Sequence, residues 1–574
     1  MSLHALAEQY WTYLMSVAPS WATLLGIHDH DAELEDLSAD AEQDQRARLA
    51  QLAADTEDSE PGSHAERVTR SMLRAELDTR LQSIGGADGT GPSHAVMACT
   101  QMSGPHLLLL QATASMTFPE PAHATAAVRR FAQADRYLAQ ATDRFREGFD
   151  LGLTPVTRNL RHVLGQVDGY LASPIDDDPL LTMAGPADWD GEAAWRDDLR
   201  AVAADVVRPA MQRYRDTIES DLLPHGRDDE HAGLCWLDGG DAIYRDKAKM
   251  STSLDIDPDE VHTIGRDYID GPLTDEFSAL GERLFGTADV TEIFARMRTD
   301  DDLRYQSGEQ MVADAQDALE RARAEMTRWF GRLPVADCQV RPVPEFLASS
   351  APPAYYIQPA TDGSRGGTYF LNTRNASAMF RFEGQATAFH EAIPGHHLQL
   401  AIAGELEGVP AFQQHALQTA YAEGWGLYAE RLANEMGLYA QERDLLGMLA
   451  LDAFRASRLV VDTGLHAKGW SREQAIAYMR EHTPLPFDTI DVEIDRYIAI
   501  PGQALSYKLG QLEIRRLRDH AEATLGDSFD IRGFHDAVLG SGMVTLGVLG
   551  DLVEDWIVTA DAVRQLSRFT QSIE

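Results

Sequence analysis

One short stretch of the chain carries residue types that could bind a metal and activate water. It runs from Phe389 to Gln399 and reads FHEAIPGHHLQ. His390 and Glu391 begin it as in the H-E-x-x-H helix, in which two histidines one turn apart hold zinc and the glutamate between them activates a water molecule. The fourth residue after His390 is Pro394, which has no ligand atom in its side chain. The motif is therefore either broken or expanded.

The second histidine ligand would have to be His396 or His397. In a continuous helix, His396 would lie about 240° around the axis from His390, and His397 about 10.5 Å along it. Neither could then share with His390 an ion that binds each nitrogen at about 2.1 Å. Pro394 interrupts the helical hydrogen bonds and Gly395 frees the backbone, so a two-residue bulge would bring His396 into the ligand position. We favour His396 and keep His397 as the alternative.

A third ligand is expected from the segment that contains Glu423 and Glu430. These residues are seven apart and share one face of a helix. We predict that Glu423 completes a zinc site with His390 and His396, while Glu430 lies behind the site or pairs with an arginine. Such a ligand set leaves one coordination position open for water, and Glu391 would accept its proton and pass it to the leaving amine.

Tyr507 is a candidate for stabilising an oxyanion, because this chemistry needs a hydrogen-bond donor near the carbonyl under attack. It lies in the segment 501–510. From the residues alone, a buried tyrosine bonded to the backbone is the better interpretation of Tyr507.

The elements that must position these residues are mainly helices. Apolar residues recur at three- and four-residue spacing, and Asp257 followed by Pro258 marks a helix start. The periodic ranges are 4–26, 63–83, 122–150 and 304–331.

A change in sequence texture at about residue 333 predicts a small sheet. Three short runs separated by Pro and Gly are typical of strands: Cys338–Val343, Ala354–Gln358 and Gly367–Thr373. Helices resume near Phe380. We therefore expect a mainly α protein, with an N-terminal helical lobe over residues 1–335 and a catalytic lobe over residues 336–574.

Composition and charge exclude several classes of protein. The 574 residues include 91 Asp and Glu against 50 Lys and Arg, for a net charge of −41. Such a chain would be repelled by nucleic-acid phosphates and by anionic membrane surfaces. It has no apolar run of about 18 residues, no CxxC pair among its three cysteines and no features of a secretory signal. The sequence predicts a soluble, cytoplasmic protein that binds neither nucleic acid nor membrane, and leaves the oligomeric state open.

A second group of ligand-type residues lies in an acidic segment near the N-terminus, where His28, Asp29, His30 and Asp31 are consecutive. In an extended segment His28 and His30 would share a face. Nothing downstream in the sequence completes a metal site there, so we interpret the group as a polar turn.

The stretch from His390 to Gln399 resembles the HExxPGHHLQ signature of the bacterial family called domain of unknown function 885, which is grouped with gluzincin-type zinc metallopeptidases. Further segments that resemble the family extend over nearly the whole chain: 22–29, 423–430, 458–467 and 496–508. Gly426 stands where we expect alanine, a difference that we expect to matter little.

The resemblance implies a two-lobed helical fold similar to thimet-type oligopeptidases, angiotensin-converting enzyme and Taq-type carboxypeptidases, with a deep cleft and a small antiparallel sheet beside the zinc helix. In such enzymes a strand beside that helix binds the peptide as an added strand, and 368–373 is at the corresponding place in the chain. Dipeptidyl peptidase III has a similar expanded motif, which supports His396 as the ligand.

The resemblance also assigns roles to individual residues. It implies one Zn²⁺ per chain on His390, His396 and Glu423, with Glu391 as the base. It makes Tyr507 a partner of the transition state.

Three further residues become candidates for binding a substrate carboxylate or carbonyl, namely Arg458, His466 and Arg496. Buried ion pairs within the helical body are an equal alternative for these three.

We therefore predict a zinc-dependent hydrolase that cleaves short peptides as a carboxypeptidase or oligopeptidase. Two histidines and a carboxylate also suit non-haem iron, so a metal-dependent oxidoreductase is the alternative from another class. Glu391 argues for hydrolysis, because an oxygenase does not need that base. A non-catalytic helical binding protein with a degenerate site is the third possibility, and the intact His390, Glu391 and Glu423 argue against it.

Overall fold

Helices make up most of the structure, a computed structural model that describes residues 2–85, 91–345, 348, 351–359, 365–416 and 418–571, with side chains through residue 562. The helices of the first half are α1 Leu3–Val17, α2 Pro19–Leu24, α3 Ala39–Glu57, α4 His64–Ser83, α5 Pro105–Leu110, α6 Pro121–Phe131, α7 Ala134–Asp150, α8 Thr157–Ala172, α9 Glu192–Val202, α10 Arg208–Thr217, α11 Gly240–Thr252, α12 Pro258–Tyr268, α13 Thr274–Phe285, α14 Val290–Thr299 and α15 Gly308–Trp329.

The helices that follow the sheet are α16 Arg381–Glu391, α17 His396–Gly404, α18 Ala411–His415, α19 Thr419–Glu435, α20 Leu445–His466, α21 Arg472–His482, α22 Phe487–Ala499, α23 Leu505–Leu525, α24 Ile531–Leu539 and α25 Leu546–Gln571. In the described residues no helix is long and apolar enough to cross a membrane.

The helix predictions from apolar spacing are confirmed, with two interruptions. The range 63–83 is α4, and the range 304–331 contains α15. The range 4–26 divides at Pro19, and the range 122–150 divides after Phe131. α12 begins at Pro258 as expected, and the Asp257 carboxylate caps it by accepting from the backbone N–H of Asp259 at 2.9 Å.

The chain forms two compact units. The first comprises Met1–Asp246, Leu465–Glu473 and Ile494–Pro501, and the second comprises Lys247–Gly464, Gln474–Glu493 and Gly502–Glu574. The boundary expected at 335/336 does not coincide with this division, since the change in sequence texture there marks the start of the sheet inside the second unit.

The first unit is built around the apolar faces of α6 to α10. Its core includes Phe131, Leu160 and Trp195, all buried. The indole N–H of Trp195 donates to the Ala124 carbonyl at 2.7 Å, so the one polar atom of this large side chain is satisfied inside the core.

The small sheet of the second unit has three strands: β1 Cys338–Pro342, β2 Ala354–Ile357 and β3 Gly367–Leu371. Its order is β1-β3-β2, with β3 parallel to β1 and antiparallel to β2. The expected strands are confirmed, but the expectation of a wholly antiparallel sheet is wrong. The chain reverses direction between β1 and β2 and again between β2 and β3, so β3 runs in the same direction as β1. Because β3 lies between the other two strands, it forms a parallel pair with β1 and an antiparallel pair with β2.

Two glycines bring α19 and α23 of the second unit into backbone contact. A Cβ on Gly424 would collide with the main chain of Gly510, and a Cβ on Gly510 would collide with the carbonyl of Ala420. Only glycine at both positions allows so close an approach. The helix that carries Glu423 therefore lies directly on the helix that begins with Leu505.

Candidate metal centre

The helix that carries His390 ends where the sequence predicts a distortion. α16 ends at Glu391, Ala392 leaves the helical conformation with φ −106° and ψ −108°, and α17 begins at His396. The break occupies residues 392–395, which is longer than the two-residue bulge that we expected. Gly395 is required in it, because a Cβ there would collide with the carbonyls of Phe389 and His390.

The break brings His396 beside His390, with ring centroids 4.6 Å apart and ring planes at 84°. Nε2 of His390 lies 3.4 Å from Oε2 of Glu423, and Nε2 of His396 lies 3.6 Å from the same oxygen. If each of these atoms bound one ion at about 2.1 Å, separations of 3.4 and 3.6 Å would give ligand–metal–ligand angles of about 110–120°. Angles of this size are found in tetrahedral zinc sites. The three ligand atoms lie within 4.8 Å of one another.

His397 is directed away from this group and holds the sheet. The Tyr356 hydroxyl donates to its Nδ1 at 2.9 Å, and its Nε2–H donates to the Ala336 carbonyl at 3.1 Å. Burial lowers the pKa of His397 to about 4, so the ring is neutral in this setting. Of the two histidines that the spacing left open, the geometry places His396 beside His390 and Glu423.

Glu430 stands behind His390. Nδ1–H of His390 donates to Oε1 of Glu430 at 2.8 Å, and the Glu430 side chain is 2% exposed. A carboxylate in this position fixes the tautomer of a ligand histidine, so that Nε2 presents its lone pair to the metal. Arg431 does not pair with Glu430; its guanidinium binds Glu276 and Asp452 at 2.5 Å.

The electrostatics of the site favour a cation. Burial alone would lower the pKa of His390, but hydrogen bonds to Glu423 and Glu430 outweigh it and raise the pKa to about 10. Burial would raise the pKa of Glu423, but hydrogen bonds with His390 and His396 outweigh it and hold that pKa well below its usual range. The carboxylates of Glu423 and Glu430 thus both stabilise positive charge at the His390 ring, and a bound divalent cation would provide that charge. The donors fit zinc in type, number and separation.

Gly426 forms the floor beneath the His390 ring. A Cβ on residue 426 would come within 2.5 Å of Cε1 and 2.7 Å of Nε2 of His390. Glu423, Gly426 and Glu430 lie on one face of α19, so His390 lies over the glycine with one nitrogen directed to each glutamate. The expectation that glycine here matters little is therefore wrong, because alanine would occupy the space of the ring.

Glu391 is half-buried at the last position of α16, directly after the candidate ligand His390. The other predicted catalytic residue, Tyr507, is in the first turn of α23 and almost completely buried. The guanidinium of Arg458 lies 4.3 Å from the centroid of the Tyr507 ring, and Arg458 also donates to Glu493 at 3.0 Å. The structure thus brings Tyr507 and Arg458 together as one group.

Two of the predicted substrate-binding residues belong to the first unit. His466 is fully buried there, where it accepts from the Leu234 N–H at 3.2 Å and donates to the Tyr497 carbonyl at 3.0 Å. These bonds occupy both ring nitrogens and describe a structural histidine. Arg496 is half-buried in the last turn of α22. The substrate role that the resemblance implies for these two residues remains a prediction.

Arg455 is a residue that the sequence analysis missed. It lies one turn before Arg458 on α20, with its guanidinium 6.0 Å from the Tyr507 ring centroid. Its Nε and Nη1 are buried and have no hydrogen-bond partner among the described residues. The three-residue spacing of the two arginines on one helix was the available signal.

A buried charge network connects three helices around the site. Lys508 donates to Asp452 at 2.5 Å and to Gln511 at 2.6 Å, while Arg431 donates to the other oxygen of Asp452. Burial lowers the pKa of Lys508 to about 8 despite its acidic partner. The network ties α19, α20 and α23, which carry Glu423, Arg458 and Tyr507 respectively.

Comparisons with known proteins identify relatives but no activity. The model of the family described as "Bacterial protein of unknown function (DUF885)" matches residues 19–553. No functionally curated protein matches the chain.

Two similar solved structures have names that state a class but no reaction. One, "the putative lipoprotein from Colwellia psychrerythraea", is 27% identical, has a TM-score of 0.87 and matches over 97% of this chain and 99% of its own. The other, "a putative lipoprotein of unknown function from Shewanella oneidensis", is 17% identical, has a TM-score of 0.73 and matches over 96% and 99%. The second supports only the fold.

Proposed function

The chain belongs to the bacterial DUF885 family, whose model matches residues 19–553, and we propose that this member is a zinc-dependent hydrolase that cleaves peptide bonds of short peptides. The observation that carries the proposal is the convergence of His390, His396 and Glu423, with Glu430 bonded behind His390. A ligand set of two histidines and one carboxylate with a further carboxylate behind a histidine is typical of hydrolytic zinc sites.

Each residue of the site has a distinct task in this proposal. Zinc in such a set acidifies water and polarises a carbonyl. Glu391 accepts the proton of the attacking water and returns it to the leaving amine. Glu430 holds the His390 ring in one tautomer, and the Tyr507 hydroxyl donates to the developing oxyanion.

We propose that Arg455 and Arg458 bind the C-terminal carboxylate of the substrate. Nε and Nη1 of Arg455 are buried and have no hydrogen-bond partner among the residues that the structure describes, and an arginine fork binds a carboxylate through two parallel hydrogen bonds. Such a contact with the C-terminus of the substrate would favour short peptides and carboxypeptidase cleavage.

The main chain of the substrate cannot pair with β3, because β1 and β2 occupy both of its edges. We therefore move the expected role of 368–373 to β2, which is an edge strand of the described sheet and packs against α16. An extended peptide beside β2 would be held by main-chain hydrogen bonds.

The experiment is metal analysis combined with cleavage of a peptide library by the wild type and Glu391→Gln. Zinc near one per chain at this site, with cleavage lost in Glu391→Gln and metal retained, is the expected result. Glu407→Gln, which removes an exposed glutamate from a nearby loop, is the matched control and should cleave as the wild type does. Iron in the site with oxygen-dependent activity would favour the oxidoreductase alternative, and equal cleavage by Glu391→Gln would overturn the role of the base.

The compartment also requires a test. The sequence predicts the cytoplasm, whereas the lipoprotein name of the similar Colwellia psychrerythraea structure does not fit that location. Fractionation of the native host, with immunodetection in the cytoplasmic and envelope fractions, distinguishes the two.

A further inference from the structure

A second group of metal-ligand side chains lies in the first unit. Its members come from the acidic segment near the N-terminus and from α6: His28, Asp31 and His123, each of which offers a ligand atom within 4.8 Å of the others. The sequence analysis interpreted the segment as a polar turn in which His28 and His30 could share a face, and Nδ1 of His30 is directed to Glu33 at 3.3 Å. The structure instead pairs His28 with Asp31 and adds His123 from α6.

The two histidine rings lie in parallel contact. Their centroids are 4.4 Å apart and their planes differ by 11°. Stacked in this way, both rings can present a nitrogen to one cation. Nδ1 of His123 is buried and has no hydrogen-bond partner among the described residues. A buried ring nitrogen without a partner costs free energy unless a ligand occupies its lone pair.

Asp31 is prepared to act as the anionic ligand. It is 1% exposed, and its two oxygens have different surroundings. Oδ1 accepts from the Thr23 hydroxyl at 2.6 Å and lies 3.8 Å from the Arg130 guanidinium. Oδ2 is directed to Nδ1 of His28 at 2.9 Å. Arg130 and Thr23 therefore fix one oxygen and leave the other directed to the histidines.

From this arrangement we propose that His28, Asp31 and His123 form a second site for a divalent transition-metal cation, separate from the candidate site on α16, α17 and α19. Imidazole nitrogens with one carboxylate oxygen select zinc and its first-row neighbours over calcium or magnesium. The 2.9 Å between Nδ1 of His28 and Oδ2 of Asp31 corresponds to about 90° at an ion about 2.1 Å from each, as in five- or six-coordinate sites. The bound cation links the turn after α2 to α6 and stabilises the first unit.

The test uses the full chain, stripped with a chelator, dialysed against Zn²⁺ and assayed by elemental analysis and by thermal unfolding. His123→Phe keeps a ring on His28 but removes the ligand nitrogen, and His30→Phe is the matched control beside the cluster. We expect about two zinc ions in the wild type and in His30→Phe, and about one in His123→Phe. The Tm increase on adding Zn²⁺ should fall by at least about 2 °C in His123→Phe alone.

A variant of the other site keeps the test independent of the folding of His123→Phe and of the proposed hydrolase. His396→Ala leaves the N-terminal cluster untouched, so it should still bind about one Zn²⁺ and lose it when His123→Phe is added. This outcome supports the second site whether or not the protein cleaves peptides. No zinc on folded His396→Ala, or equal zinc content and Tm increase in His123→Phe and the wild type, would overturn the proposal.

Discussion

Gly426 of α19 lies directly beneath the imidazole of His390, so that a Cβ on residue 426 would stand 2.5 Å from Cε1 of that ring. Gly426→Ala should therefore displace His390 from between Glu423 and Glu430. Overpacking of this kind costs about 1–3 kcal/mol, and we expect the zinc affinity to fall about ten- to hundredfold. Titration with a competing chelator measures the change.

The control for this substitution is Gly550→Ala in α25, where a Cβ would meet nothing within 4 Å. It replaces glycine by alanine in a helix without touching the site, so its zinc affinity should equal that of the wild type. Equal affinity in Gly426→Ala would show that the ring has another position from which it binds the metal.

Glu430→Gln should weaken zinc binding without removing any ligand. The amide holds the His390 N–H less strongly than the carboxylate does, and loss of such a partner lowers metal affinity about 10- to 100-fold. Glu435→Gln removes another carboxylate from the same helix, one that pairs with Arg518, and should leave zinc affinity unchanged. If both variants lose affinity equally, the effect belongs to the stability of α19 rather than to His390.

Tyr507→Phe separates catalysis from metal binding. It keeps the ring beneath Arg458 but removes the hydroxyl that we assign to the oxyanion, and the loss of one such donor costs about 10²–10³ in kcat. Zinc content and KM should change little. Tyr13→Phe, which removes the hydroxyl of a half-buried tyrosine in α1 of the first unit, is the control with unchanged kcat. A rise in KM with kcat unchanged would assign Tyr507 to substrate binding.

His535 makes the second unit sensitive to mild acid. Its Nδ1–H donates to the Trp329 carbonyl at 2.8 Å and its Nε2 accepts from the Tyr428 hydroxyl at 2.9 Å, so the buried ring is neutral. Burial lowers the pKa of His535 to about 3. Above pH ~6.5 both folded and unfolded states are neutral. As the pH falls below that value only the unfolded state binds a proton, and stability declines by about 1.4 kcal/mol per pH unit.

Urea unfolding at pH 7 and pH 5 measures this effect. His535→Gln should be less stable than the wild type at pH 7 but lose less stability on going to pH 5. His520→Gln, which changes an exposed histidine of α23, should follow the wild type at both values. If the urea midpoint of the wild type were the same at pH 5 as at pH 7, the result would contradict the neutral state of His535.

The convergence of His390, His396 and Glu423 was predictable because the sequence signals for it lie in two short segments. Pro394 and Gly395 predict the break in the helix. The seven-residue spacing of Glu423 and Glu430 places both side chains on the same face of a helix. The contact between Gly426 and His390 was not predictable, because it depends on how closely α16 approaches α19, and helix spacing comes from packing between distant segments.

The fold was also predictable only where the signals are local in sequence. The three strands were located from Pro, Gly and β-branched or aromatic residues, but their order was not, because strand order is a relation among segments and not a property of any of them. His123 illustrates the limit for sites. It lies far along the chain from His28 and Asp31, and only the folding of α6 onto the N-terminal turn brings the three together.

The contact between Gly424 and Gly510 has a consequence for the substitutions that this chain can accept. The spacing between the helix of Glu423 and the helix of Tyr507 is determined by main-chain atoms in contact, and no exchange of apolar side chains elsewhere in the core can adjust it. Substitutions elsewhere in the core can therefore change the packing of side chains while the backbone spacing between these two helices stays the same.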